Sequence, residues 1–235
     1  MTFFGLDKKK MNIHNFAVFD TETIGISPKF VYDLALIICN RAGEPIVKKS
    51  WLIREIFIQP KLMLGAFYSN RVFSHYIPKI DAGELHLFPF ADARREFNAM
   101  IAEHNAKTIC AYNIAFDRSA LRETLAHTDN GEKFLDSKIN FADLWLASCR
   151  MIADTNKYRR FCADNNFISN AGNVKTSAEI IYAYIKQNPA FLESHTAMED
   201  CIIESEILGA INKKKKGFPR NEINYMPWKI PQRKK

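Results

Sequence analysis

The chain has 235 residues, 47% of them hydrophobic and 12% aromatic, with a formal net charge of +7. That is enough apolar material for a real core, and it excludes an intrinsically disordered chain. No apolar run approaches the roughly 20 residues that a bilayer-spanning helix needs, so no membrane role is expected.

Charge and cysteine usage narrow the class further. Residues 213–235 carry nine Lys/Arg and one acid, a net of +8, which leaves residues 1–212 at −1. The expected organisation is a nearly neutral folded domain over 1–212 and a basic, aromatic tail over 213–235, which suits a polyanionic partner. Cys39, Cys110, Cys149, Cys162 and Cys201 are odd in number, scattered and without a C-x-x-C pair. They read as reduced, buried thiols of a cytoplasmic protein. Met1 to Lys10 has a short apolar patch followed by Lys8-Lys9-Lys10, the wrong order for a secretory signal.

The first predicted element is a buried strand, Phe16 to Phe19, running into Asp20-Thr21-Glu22-Thr23-Ile24-Gly25 and a Ser27-Pro28 turn signal. Side chains alternate along a strand, so Asp20 and Glu22 share a face. Two adjacent carboxylates with no Lys or Arg between them repel unless a positive charge faces them. A hard divalent cation such as Mg²⁺ or Mn²⁺ would supply it. An isolated D-x-E is more often a strand ending in a solvated turn.

Val31 to Cys39 reads as a second buried strand, and Ile46 to Ile58 alternates as a third, completing an antiparallel meander. Lys61 to Leu85 is helical and aromatic in pattern. Phe90 to His104 is an amphipathic helix with Phe90, Ala93, Phe97, Met100 and Ile101 on one side. Lys107 to Tyr112 is a short strand, followed by Asn113 as an N-cap and a helix through Leu125. Asp117 then lies in the first turns of that helix, where the helix dipole alone would favour an acid. Asn140 to Trp145 predicts one more strand passing into a helix, with Asp143 at the junction as a cap. Two further helices are expected over Lys157–Asn166 and Thr176–Gln187.

The last motif opens a helix reaching about Ile211. His195 and Asp200 are about 140° apart if both are helical and would not converge. Thr196-Ala197-Met198-Glu199 reads as a capping box, which puts His195 just outside the helix and Asp200 in its first turn, both facing one cleft. In the tail, Lys213, Lys214, Lys215 and Lys216 open a basic stretch that closes with Arg233-Lys234-Lys235. Tyr225 and Trp228 lie between, and Pro219, Pro227 and Pro231 exclude a continuous helix. Such an arm can hold phosphates with Lys/Arg and stack Trp228 on a base, or it can be a solvated tail whose aromatics pack on the core.

The order D-x-E, then N-x-x-F-D, then H-x4-D resembles the DEDDh (DnaQ-like) family of 3′–5′ exonucleases, which includes the proofreading epsilon subunit of DNA polymerase III. The resemblance covers about Asn15 to Ile211. It implies an α/β, ribonuclease H-like fold with a mixed five-stranded sheet flanked by helices. It also implies two Mg²⁺ or Mn²⁺ ions held by Asp20, Glu22, Asp117 and Asp200, with His195 as general base. By motif position Thr21, Thr23, Ile24, Gly25, Asn113 and Phe116 would face the substrate. The sequence departs from the family's usual pattern at Ile24, where the family often has Thr, and at Tyr112, where it often has His. At the first, backbone N–H groups and apolar packing on a base stay available. The expected activity is release of nucleoside monophosphates from the 3′ end of nucleic acid. DNA is favoured over RNA because the long cationic tail suits longer strands. A short-substrate exoribonuclease and a binding module retaining the fold are the rival readings. A polymerase or replication partner is left open.

Overall fold

The computed structural model describes residues 15–128, 133–135, 139–214 and 229–232. Its strands are β1 (Asn15–Thr23), β2 (Val31–Cys39), β3 (Pro45–Ile53), β4 (Leu87–Phe88), β5 (Ala106–Ala111) and β6 (Asn140–Asp143). They form one mixed sheet in the order β4-β3-β2-β1-β5-β6. β1, β2 and β3 are the expected antiparallel meander, while β5 pairs with β1, and β6 with β5, in parallel. The sheet holds one strand more than the resemblance implies. The extra one, β4, lies parallel to the end of β3, with Leu52 opposite Leu87. Two residues are too few to show an alternating pattern.

Ten helices flank the sheet among the described residues: α1 (Arg54–Phe57), α2 (Pro60–Leu64), α3 (Ser69–Arg71), α4 (Ile77–Asp81), α5 (Phe90–Glu103), α6 (Ile114–Thr128), α7 (Leu144–Ser148), α8 (Asn156–Asp164), α9 (Ala178–Lys186) and α10 (Ala197–Asn212). Short π-helical turns cover Val72–Tyr76 and Cys149–Ala153. Strand alternation builds two cores. Phe19, Leu34, Leu36 and Ile38 enter one, against Phe97 of α5 and Leu121 of α6. Val18, Ala35, Ile37 and Cys39 enter the other, against α7, α8, α9 and α10. A sheet buried on both faces explains why every residue of β2 is buried.

Two stretches differ from expectation. The third strand stops at Ile53 and not at Ile58, because Ile53 and Ile56 are buried three residues apart, a helical spacing that α1 satisfies. Residues 61–85 are not one helix. Gly65 closes α2, and Pro78 stands in the first turn of α4, so the segment folds as a chain of short turns. It forms an aromatic insert between β3 and β4.

α10 is buried on nearly all sides, and its approach to the β2–β3 turn depends on two glycines. A Cβ on Gly209 would stand 2.0 Å from the Ala42 carbonyl oxygen, and one on Gly43 would stand 2.0 Å from that of Ser205. Gly43 also has φ of +81°, a conformation that side chains disfavour. Of the tail, the described end packs on the second core. Ile230 is buried, Val174 N–H donates to the Ile230 carbonyl at 2.9 Å, and Arg159 Nε donates to that of Pro231 at 2.9 Å.

Candidate active site

β1 places Val18, Asp20 and Glu22 on the face covered by α10, and α10 brings Asp200 to them from its first turn. One carboxylate oxygen from each of Asp20, Glu22 and Asp200 lies within 4.8 Å of the others. Asp117 arrives differently. α6 packs on the opposite face, so Asp117 meets Thr21, whose Oγ1 donates to its Oδ1 at 2.8 Å. Asp117 therefore stands beside the three-acid cluster and not within it, although its charge acts on both Asp20 and Glu22.

Three more acids converge that the motifs did not single out. Asp33 lies opposite Glu22 across the β1–β2 ladder. Glu204 follows Asp200 by one turn of α10 and accepts the Tyr112 N–H at 3.1 Å. Glu193 comes from the loop before α10, and its charge acts on Asp200. Signals for the first two are present in the sequence: Asp33 is the lone charge in an apolar strand, and Asp200 and Glu204 are four apart on one helix face. Glu193 has no local signal, because a loop residue's position follows from tertiary packing alone.

Burial is the largest influence on these carboxyls, and neighbouring acids push the same way. Glu22 rises to about 8 through burial and the Asp33 and Glu193 charges, and Asp200 to about 9 through burial and Glu193. Burial, followed by the charge of Glu204, pushes Asp20 well up. Asp117 rises to about 7 and Asp33 to about 6, both by burial and both partly offset by hydrogen bonds. Asp200 Oδ1 and Asp33 Oδ1 are buried without a hydrogen-bond partner. Clustered oxygen donors, mutual repulsion and unsatisfied buried oxygens are what a hard divalent cation would resolve.

His195 stands outside α10, as expected, with a left-handed φ of +56°. Its Nδ1 lies 3.9 Å from Glu193 Oε2, and its ring stacks on Tyr68 with centroids 3.8 Å apart and planes 10° apart. The capping box is not formed as expected. Thr196 Oγ1 donates to Glu199 Oε2 at 3.2 Å and caps no backbone N–H. The Ala197 N–H goes instead to Asp33 Oδ2, also at 3.2 Å.

The proposed substrate contacts divide. Thr23 Oγ1 donates to the Gly25 carbonyl at 3.1 Å, and Ile24 N–H donates to that of Phe30 at 3.0 Å with its side chain buried. Ile24 therefore does not keep the open N–H expected of it. Gly25 is partly exposed, with ordinary room around it. Phe116 is half-buried beneath Lys29 Nζ, 5.6 Å from the ring centroid. Asn113 has φ of +67°, so it is not the extended N-cap expected. Asp143 caps α7, as expected: its Oδ1 accepts the Leu146 N–H at 3.1 Å. Lys213 and Lys214 are exposed at the far end of α10, about 20 Å from Asp200 at 1.5 Å per residue. Lys215, Lys216, Trp228 and Arg233 lie outside the described residues.

The fold is that of solved structures of exonuclease I. The zinc-bound complex of the Escherichia coli enzyme with single-stranded DNA has 14% identity and a TM-score of 0.55, matching 87% of this chain and 41% of that one. The Escherichia coli enzyme with a dT13 oligonucleotide has 14% identity and a TM-score of 0.56, matching 86% and 42%. A moderately thermophilic exonuclease I from Methylocaldum szegediense has 15% identity and a TM-score of 0.53, matching 86% and 41%. This chain spans about two fifths of the length of those proteins. No protein-family profile and no curated protein matches the sequence. Among the described residues no helix is long and apolar enough to cross a membrane.

Proposed function

We propose that the chain is a metal-dependent 3′–5′ exonuclease of the DEDDh type that acts on single-stranded DNA and releases nucleoside monophosphates. One observation carries this reading. Asp20 and Glu22 of the first motif meet Asp200 of the last at one end of β1, with Asp117 of the middle motif beside them, on a fold shared with exonuclease I. The neighbours crystallised with oligonucleotides support DNA as the substrate.

Asp20, Glu22 and Asp200 would hold the divalent ions, Mg²⁺ or Mn²⁺, with Asp117 completing the acidic set from the other face. Bound there, two such ions would supply the positive charge that stabilises the attacking and leaving oxygens of an in-line displacement. Facing that charge, the carboxylates could ionise together beside a phosphodiester. His195, at the rim of the cluster, takes the proton from the attacking water. Glu193, 3.9 Å from its Nδ1, favours the imidazolium that results. Phe116 and Gly25 remain partly exposed beside the acids and receive the terminal nucleotide.

The test is digestion of 5′-labelled DNA and RNA oligonucleotides of several lengths, with Mg²⁺ or Mn²⁺ and with EDTA. Stepwise shortening of single-stranded DNA that EDTA abolishes is expected. Metal-dependent binding without shortening would favour a binding module, and faster shortening of RNA would favour an exoribonuclease.

A further inference from the structure

The aromatic insert between β3 and β4 ends one of its turns directly on the last motif. Tyr68 sits between α2 and α3 with a left-handed φ of +56°, and its ring lies flat on the imidazole of His195. A stack at 3.8 Å and 10° covers one whole face of the imidazole. The Tyr68 side is near the acids as well, since Glu22, Glu193 and Asp200 all act on its hydroxyl.

The backbone next to His195 is held by the same insert. Tyr76, fully buried at the end of the π-helical turn, donates its hydroxyl to Asp33 Oδ2 at 2.6 Å. That oxygen also accepts the Ala197 N–H, two residues beyond His195. A non-glycine residue in the left-handed region is strained and persists only when its surroundings over-determine it. Here the determinants are visible: a ring on the side chain and a Tyr–Asp–amide chain on the backbone.

We propose that Tyr68 is a positioning residue for His195, holding the imidazole at the rim of the Asp20–Glu22–Asp200 cluster. This rests on the reading of His195 as the base. Tyr68 acts through the imidazole face and not through its hydroxyl, so a phenylalanine should serve nearly as well. The half-exposed ring, at 49%, could instead be a platform for a substrate base, and the two roles separate kinetically. A positioning role lowers kcat, whereas a platform raises KM.

The experiment compares wild type, Tyr68→Ala, Tyr68→Phe, His195→Ala and the Tyr68→Ala/His195→Ala double variant on a 5′-labelled single-stranded oligodeoxynucleotide with Mg²⁺. Tyr68→Ala should lose roughly 10–100-fold in kcat, the scale of a misplaced catalytic group, with KM changed less than about threefold. Tyr68→Phe should keep at least about half of the wild-type kcat. The double variant should be no slower than His195→Ala alone, because residues that act as a unit are not additive. Unchanged kcat in Tyr68→Ala, an effect confined to KM, or a further loss in the double variant would overturn the proposal.

A second measurement is independent of activity. The His195 ring protons should show an upfield ring-current shift in the NMR spectrum, lost in Tyr68→Ala and kept in Tyr68→Phe. Absence of that shift in wild type would overturn the stack itself. Full activity in His195→Ala, with the ring-current shift present, would instead overturn the role assigned to His195.

Discussion

At the scale of single residues, the site is a set of buried carboxyls held against their own repulsion. Glu22 at about 8, Asp200 at about 9 and Asp117 at about 7 all stand above the roughly 4 of an unfolded carboxyl. A raised folded-state value favours the protonated form, so its stabilising contribution is complete below about pH 4 and is lost as pH climbs through 7 to 9. Without divalent metal, thermal stability should therefore fall by several degrees between pH 5 and pH 9, at roughly 2–4 °C per kcal/mol for a chain of this size. Mg²⁺ should reverse most of that fall, and Asp200→Asn should flatten it. A metal-free melting temperature that rises over this range would contradict the electrostatic picture. For His195→Ala, steady-state digestion should slow by about 10²–10⁴-fold, the usual range for general base catalysis. Metal affinity, measured by calorimetry, should be unchanged, because the imidazole is assigned to the water and not to an ion.

Elements decide which acids meet. α10 delivers Asp200 because its backbone lies close to the β2–β3 turn, and the Gly43–Gly209 contact permits that approach. Gly209→Ala would drive a Cβ into the Ala42 carbonyl, which must shift. A loss of about 1–3 kcal/mol is expected, read as a lower urea midpoint with an unchanged slope. Activity should fall with it, since Asp200 rides on the same helix.

Much of this level was legible beforehand. β1, β2, α5 and α10 follow from unbroken periodicity, and the shared face of Asp20 and Glu22 follows from strand alternation alone. The aromatic insert was not legible, because Gly65 and Pro78 divide it into turns shorter than a helical period can reveal. Asp117 was expected to share the ions with Asp20, Glu22 and Asp200, but its helix packs on the other side of the sheet and sets it beside them. Which face a helix covers is set by the chain's crossovers, which local pattern does not encode. Asp33 as the partner of the Ala197 N–H was equally hidden, since that hydrogen bond joins residues 164 positions apart.

On the scale of the whole molecule, charge is divided: acids gather at the N-terminal end of α10 and lysines begin at its C-terminal end. A strand reaching from Asp200 to Lys213 spans about 20 Å, or about six stacked nucleotides at 3.4 Å each. Affinity should thus rise for single strands longer than about six nucleotides, while di- and trinucleotides turn over independently of the tail. Removing residues 213–235 would also strip Ile230 from the core, so replacing Lys213, Lys214, Lys215 and Lys216 with serine is the cleaner variant. Each lysine that contacts a phosphate should contribute about 0.7 to the log–log salt slope of single-strand binding. Equal slopes for this variant and wild type would show that these lysines do not contact the strand.

The most direct test of the central claim is the rate at which purified Asp20→Ala shortens a 5′-labelled single-stranded oligodeoxynucleotide with Mg²⁺, beside wild type and wild type with EDTA. The account predicts stepwise 3′ shortening by wild type alone, with the variant folded and as stable as wild type or more so in the absence of metal. Loss of the metal site should cost several kcal/mol of barrier, so a variant retaining more than about a hundredth of the wild-type rate would contradict it.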